Sequence, residues 1–357
     1  FDLGGFTLTT TGNQTFTAGS VSNGTISSIS AGTSTFTNTT FAANATINLS
    51  SNAITINGGT FNGTTSLNVY GTGNTTGTGN ATFNGTTNLS NSGTGYFRTN
   101  GNMTFNGTTN FTGSGSGYLL FELTTGSTYN GPLTLTLDPT ATSDIRMGYQ
   151  GTTNYNNSIT FNNQSARIIR FGELGASVNN LSAGNTLNIG VFTSGNLIFN
   201  NFNNIGGTAQ SFNLAGTANL TISNSTFSGD LNVISESLFL SNSNFNGVTN
   251  LTKTSGAVTN NNAGGNTFSG DLTINYTSTV GTGYLSMGNG SPDIYNGDVY
   301  LNNNSLDRII MCHNSVGNQF NGNIILTQIG SSNGIALTWG TGTASIAATK
   351  NISIGGL

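Results

Sequence analysis

The sequence predicts an all-β fold, a right-handed parallel β-helix (β-solenoid) of about 14–15 rungs of ~23 residues each. Three observations predict it: an aromatic-Asn-Gly phrase that returns at a nearly regular interval, period-two alternation between the phrases, and a composition almost without charge. The phrase reads Thr60-Phe61-Asn62-Gly63, then Thr82-Phe83-Asn84-Gly85, then Thr104-Phe105-Asn106-Gly107. Looser copies centre on Tyr129, Phe227, Phe245, Phe268, Tyr295 and Phe320, and weaker equivalents at Tyr155, Val178 and Phe202 fill the central gap. The spacing is mostly 22 to 27 residues.

Each unit then supplies the elements of one rung. The phrase is a first short strand closed by an Asn-Gly or Ser-Gly turn, where glycine is expected to serve a backbone with φ > 0. A second strand follows as an alternating run, such as Thr86-Thr87-Asn88-Leu89 or Asp271-Leu272-Thr273-Ile274. A glycine-rich turn comes next, for example Gly113-Ser114-Gly115-Ser116-Gly117. The third strand opens on bulky residues: Tyr96-Phe97, Tyr118-Leu119-Leu120-Phe121, Ile168-Ile169-Arg170-Phe171, Tyr284-Leu285. The helical period is absent.

One such coil cannot bury its inward Phe, Leu and Ile alone. Coils stacked ~4.8 Å apart pair their backbone groups above and below, and about 14–15 of them span roughly 70 Å. The repeated Phe position then becomes an aromatic stack and the repeated Asn positions amide ladders. Parallel crossovers are overwhelmingly right-handed, which sets the expected hand.

A longer period lies above the rung. Ile54-Thr55-Ile56 corresponds to Leu220-Thr221-Ile222, Tyr129 to Tyr295, Ile145-Arg146-Met147 to Ile309-Ile310-Met311, and the run from Leu181 to Gly190 to that from Ile346 to Gly355, an offset of about 165. Residues 1–357 therefore read as a single continuous solenoid segment of a larger protein, with internal cassettes at about 36–201 and 202–357. The chain begins and ends inside repeats, the last being Ile352-Ser353-Ile354-Gly355-Gly356.

Composition excludes several functions. Only 5% of residues are charged, against about a quarter in ordinary globular domains. Small polar residues dominate, with 60 Thr, 57 Asn and 52 Gly. Disorder is excluded by 22 Phe and 10 Tyr at regular intervals among β-branched residues. Seven Lys+Arg and a net charge of −4 leave no basic patch for nucleic acid. No apolar run approaches the ~18 residues of a membrane span, so the segment is not expected to be transmembrane.

The search for chemistry yields no catalytic, cofactor-binding or metal residues, and the chain reads as a non-enzyme. Cys312, the sole cysteine, sits in the apolar run Arg308-Ile309-Ile310-Met311-Cys312-His313 and is expected to be a core thiol. His313 is the sole histidine, with Ser315 and Asp307 near in sequence but no strained nucleophile turn. Asp230, Asp271 and Asp298 each follow the phrase glycine, with Asp271 and Asp298 on adjacent rungs. That slot reads as a weak calcium site or as an exposed turn favouring Asp; Thr64, Thr86, Thr108 and Val248 in the same slot favour the turn. Arg98, Arg146, Arg167, Arg170 and Arg308 lie in or beside third strands, with Arg146 and Arg308 matched across the long offset. They are expected to pair with Glu122, Asp144, Glu173 or Asp307 across rungs or across a subunit boundary; the repeated position reads as an ordinary exposed Arg or as an inter-subunit contact. Asn-x-Thr triplets such as Asn23-Gly24-Thr25 follow from composition alone.

The Thr-Phe-Asn-Gly phrases, the Gly-Tyr-Leu strands, and the stretch from Asn318 to Ile324 leading to Lys350-Asn351-Ile352-Ser353-Ile354 resemble the β-strand-repeat surface proteins of gliding bacteria that use type-nine secretion. The resemblance covers essentially the whole chain. It implies a giant secreted adhesin or filament protein with sorting signals outside residues 1–357, and brings no catalytic residues.

The leading expectation is a structural shaft segment of a large extracellular bacterial filament or adhesin at the cell surface, used for attachment, gliding or capture of other cells. Identical chains are expected to associate as a homo-oligomer or lateral bundle. The alternative is a glycan-binding β-helix module using flat Thr rows such as Thr7-Leu8-Thr9 and Leu133-Thr134-Leu135-Thr136-Leu137 against cell-surface glycans. A polysaccharide lyase or hydrolase ranks third.

Overall fold

The computed structural model describes residues 1–173, 175, 177–256, 260–281, 283–329 and 333–355. Gly356 of the closing repeat lies outside them. Among the described residues every regular element is a β-strand. The strands pair in parallel as a β-solenoid of about 14 turns with rungs ~23 residues apart. The chain divides into two compact units, Phe1–Gly195 and Asn196–Leu357.

In the first unit a typical rung consists of Thr104–Phe105, Thr109–Gly113 and Leu119–Leu120. The second strand buries Thr109, Phe111 and Gly113 and leaves Asn110 and Thr112 half-buried on the outside. Alternation therefore does what period-two patterning requires, sending apolar and small residues inward. In the row through Leu133–Leu137, Thr-x-Thr holds on that rung alone: Thr134 and Thr136 meet Asn110 and Thr112 on one neighbour, and Thr160 and Asn162 on the other. No continuous Thr row forms there.

The aromatic slots are in register. Phe41, Phe61, Phe83, Phe105, Tyr129 and Tyr155 pair in sequence, rung upon rung. Their rings stack at centroid distances of 5.2, 4.6, 5.0, 4.8 and 5.2 Å. The next member is Leu181, not Val178; Val178 pairs with Thr152 and is 36% exposed. In the second unit the column runs Asn204, Phe227, Phe245, Phe268, Tyr295, Phe320 and Ile346. Phe202 sits two residues before the slot, which Asn204 fills. The long-offset matches hold as equivalent places: Tyr129 and Tyr295 each lie in the aromatic column of their own unit, and Ile145/Met147 and Ile309/Met311 each point inward from a third strand.

Outside the stack, the asparagine after each aromatic from Phe61 to Tyr155 forms the expected amide ladder. Asn84 Nδ2 donates to Asn62 Oδ1 at 2.6 Å, Asn106 to Asn84 at 2.6 Å, Asn130 to Asn106 at 2.7 Å and Asn156 to Asn130 at 2.8 Å. Asn321 repeats the bond to Asn296 in the second unit at 2.8 Å.

The phrase glycines serve a different end from the one expected. The left-handed corner lies three residues before the aromatic, where Asn38, Gly58 and Asn102 have φ of +50°, +82° and +60°. Asn and Gly share that corner because they tolerate the left-handed region. Gly63, Gly85, Gly107 and Gly131 are not left-handed; each lies against the backbone of the rung before it. A Cβ on Gly107 would stand 2.2 Å from the carbonyl oxygen of Gly85, and one on Gly131 2.2 Å from that of Gly107.

Candidate functional site

Inside the core, the position two residues before each aromatic carries a polar staircase in the second unit. Ser243 Oγ accepts from Ser225 N–H, Asn266 Oδ1 from Ser243 N–H at 3.2 Å, Asp293 Oδ1 from Asn266 N–H at 2.8 Å, and Asn318 Oδ1 from Asp293 N–H at 2.8 Å. Each inward side chain thus satisfies a buried corner N–H of the neighbouring rung, which would otherwise be orphaned. Asp293 also accepts from Tyr295 Oη at 3.1 Å. Tyr129, the equivalent of Tyr295, likewise has a carboxylate partner, but from another place: Glu122 Oε1 accepts its hydroxyl at 2.7 Å and Oε2 accepts Gly148 N–H at 2.7 Å. Glu122 and Gly288 follow the inward third-strand residues Phe121 and Met287, and both have φ of +61°.

A third buried cluster joins Lys253, Tyr276 and Asp307. Tyr276 Oη donates to Asp307 Oδ2 at 2.7 Å, and Lys253 Nζ lies 4.9 Å over the Tyr276 ring and donates to Ser255 O. Burial pulls the Lys253 ammonium down to about 8. These three sets of groups are closed off by the rungs around them, with Glu122, Lys253 and Asp293 at 0% exposure. They hold the interior together and offer no surface to a substrate.

Burial raises the Glu122 carboxyl from an ordinary 4.5 to about 7, and that of Asp293 from 3.8 to about 6. The folded chain therefore keeps protons that the unfolded chain releases in those windows. Stability is level below them and falls as pH rises through about 4 to 7. For Glu122 the fall amounts to roughly 3 kcal/mol, at ~1.4 kcal/mol per unit. Denaturation midpoints measured from pH 4 to 8 are expected to decline accordingly. In Glu122→Gln the remaining decline is expected to end near pH 6, the upper limit set by Asp293.

Asp230, Asp271 and Asp298 do fall in one slot just before the second strand, and their carboxylates are engaged by backbone. Asp271 Oδ1 accepts Asp298 N–H at 2.9 Å, Asp298 Oδ1 accepts Asn323 N–H at 2.7 Å, and Asp230 Oδ1 accepts Val248 N–H at 2.9 Å. Asn323 Oδ1 does the same for Asn351 N–H at 3.2 Å, so an amide oxygen serves as well as a carboxylate. The Asn323 N–H holds the Asp298 carboxyl below its ordinary value. Asp298→Asn is accordingly expected to leave stability within ~0.5 kcal/mol, and Asp298→Ala to cost about 1 kcal/mol in denaturant titrations. Among the described residues no group of three or more His, Cys, Asp and Glu comes together as a metal site.

Cys312 is buried, and burial lifts its thiol to about 12. His313 sits at the rung edge, its ring edge-on to Tyr284 at 5.7 Å, and partial burial lowers its pKa. Ser315 Oγ accepts from Asn318 Nδ2 at 2.8 Å, while Asp307 belongs to the Tyr276 cluster. These residues do not assemble as nucleophile, base and orienting acid.

Among the described residues of the first unit, the arginines form a cluster of charge that faces solvent. Arg98, Leu120, Arg146 and Arg170 occupy one outward register position on successive third strands. Arg146 reaches Asp144 at 3.0 Å and Glu173 at 3.5 Å, and Arg170 reaches Glu173 at 2.8 Å. Of the four expected acidic partners, Asp144 and Glu173 pair with arginine; Glu122 and Asp307 turn inward to tyrosines. Arg308 is not the counterpart of Arg146: it precedes the inward Ile309, whereas Arg146 follows the inward Ile145.

Around Arg146 lies an open cleft of about 280 Å³ lined by Tyr96, Tyr118, Leu120, Leu123, Arg146 and Tyr149. Tyr96 and Tyr118, each placed just before a third strand, stack at 5.7 Å, and the Arg146 guanidinium lies 4.9 Å over the Tyr118 ring. The bulky residues opening each third strand signal this face in the sequence; that Tyr149 closes it depends on how the chain turns after Gly148. In the second unit Arg308 pairs in register with Tyr284, and its guanidinium lies 4.4 Å over Trp339.

No protein-family model, curated protein or solved structure matches the chain. Its fold defines it as a charge-poor parallel β-solenoid repeat protein.

Proposed function

We propose that the chain is a structural shaft segment of a large extracellular bacterial filament or adhesin, of the kind found in the β-strand-repeat surface proteins of gliding bacteria. The observation that carries this reading is the recurrence, rung after rung, of an aromatic stack inside each unit, joined in the first unit by an amide ladder outside. Repetition of that kind adds length and cohesion with each coil. A catalytic site instead concentrates unlike groups at one place. With only 5% charged residues and outward Thr and Asn, neighbouring shafts meet little electrostatic repulsion, which favours a lateral bundle or homo-oligomer of identical chains.

Electron microscopy of the native protein released from its cells tests the reading. Elongated or bundled particles are expected. Compact, isolated particles would sink it.

A further inference from the structure

We propose that the cleft at Arg146 binds one unit of an anionic saccharide, its carboxylate or sulfate taken by the arginine and its ring held by the tyrosines. This stands independently of the shaft reading. Three phenol rings and two leucines give the cleft apolar walls, while the phenol hydroxyls and the guanidinium add polar edges. Sugars present the same mixture of C–H faces and hydroxyl rims.

Charge selects the class of sugar. Four of the chain's seven cations, Arg98, Arg146, Arg167 and Arg170, lie in or beside third strands of this unit. Asp144 and Glu173 face Arg146 and Arg170. The three arginines of one outward register position, Arg98, Arg146 and Arg170, against the carboxylates of Asp144 and Glu173 leave an excess of one positive charge on a face of a chain whose net charge is −4. The two acids fix the orientation of Arg146 and engage two of its nitrogens, out of five N–H donors on a guanidinium. A planar fork held in place suits a carboxylate or sulfate.

Size selects a sugar over a protein. About 280 Å³ has room for little more than one ring, and the walls offer no broad apolar patch of the kind a protein interface needs. An aromatic-arginine pairing also recurs in the second unit, at Tyr284, Arg308 and Trp339, the last 47% exposed.

The test is calorimetric titration of the whole chain with tetragalacturonate, with a sulfated galactose tetramer, and with neutral galactotetraose. Binding of at least one anionic probe is expected, the two separating carboxylate from sulfate, with at least tenfold weaker binding of the neutral one. Arg146→Ala is expected to weaken anionic binding at least tenfold. Tyr149→Ala, which removes a wall without breaking an ion pair, is expected to weaken it as well, with circular dichroism unchanged. Arg146→Lys is expected to fall between wild type and Arg146→Ala. Equal affinity for the neutral tetramer would overturn the proposal, as would anionic binding untouched by both Arg146→Ala and Tyr149→Ala. Failure of both anionic probes would also overturn it, including where the cleft is instead found to hold a protein partner.

Discussion

Gly107→Ala is expected to destabilise the chain by about 3 kcal/mol or more, a large effect for one added methyl group. Where φ is ordinary and space is free, the same exchange stabilises by about 0.4–1 kcal/mol, because it restricts the unfolded chain. Gly107 is not left-handed, so backbone strain is not the cause. The cause is contact: the new Cβ would stand 2.2 Å from Gly85 O and 2.6 Å from Gly85 C. Those are backbone atoms and cannot rotate away. The rungs cannot part either without loosening the bonds from Asn106 N–H to Phe83 O and from Asn130 N–H to Phe105 O, each 2.7 Å long. Gly355→Ala is the control, since nothing lies within 4 Å of its added Cβ and its φ is not left-handed. Its effect is expected to stay within ~0.5 kcal/mol. Denaturant titration followed by far-ultraviolet circular dichroism measures both. A stabilising Gly107→Ala would mean that neighbouring rungs do not touch backbone to backbone at the phrase.

Phe105→Ala is expected to cost about 3–5 kcal/mol, comparable with the whole stability of a small domain. The Phe105 ring is buried between Phe83 at 5.0 Å and Tyr129 at 4.8 Å, nearly parallel to both, and meets Phe111 edge-on at 5.8 Å. Truncation leaves a cavity walled by three aromatic rings that are themselves tied to strands, so collapse into it is limited. Repeat proteins transmit such damage mainly to nearest neighbours. Hydrogen exchange is therefore expected to accelerate first at the rungs of Phe83 and Tyr129, with the amides of the second unit less affected. Phe6→Ala, at a ring 76% exposed, is expected to change little. Equal costs at Phe105 and Phe6 would contradict the stack.

The rung was legible because it is a repeat: Phe61, Phe83 and Phe105 recur 22 residues apart, and the structure sets them in one column. The amide ladder of Asn62, Asn84 and Asn106 followed from the same recurrence. Where the slot changes residue type, the reading failed. Leu181 and Asn204 hold places assigned to Val178 and Phe202, since alternation lets a neighbour two or three residues away imitate the pattern. The Asn-Gly phrase suggests a turn with positive φ at its glycine, whereas the left-handed corner is at Asn38, Asn102 and their equivalents. Close approach between rungs involves residues distant in sequence and leaves no local signature.

The buried acids were invisible for a related reason. Glu122 and Asp293 break the apolar alternation and are made tolerable by tyrosine hydroxyls, and by N–H groups that belong to other rungs. Glu122 stands where the second cassette has Gly288, a contrast that the offset alone could have flagged. The arginine face was half legible. Arg98, Arg146 and Arg170 were visible as third-strand residues, and Asp144 and Glu173 as their partners. Arg308 stands 162 residues after Arg146, outside the 164 to 166 of the matched pairs, and the residue in the Arg146 place is Ile310. The cleft itself combines side chains from several rungs and turns, which no linear period displays.

Single-molecule stretching of the chain held at its two ends tests most directly the central claim, that each coil is secured by its neighbours through backbone, aromatic and amide ladders. Resisted extension is expected in discrete steps at multiples of one rung, about 80 Å of released chain per ~23 residues. Gly107→Ala and Phe105→Ala are expected to lower the force of the steps from the first unit alone. Smooth extension without steps, or steps unaffected by both substitutions, would contradict that claim.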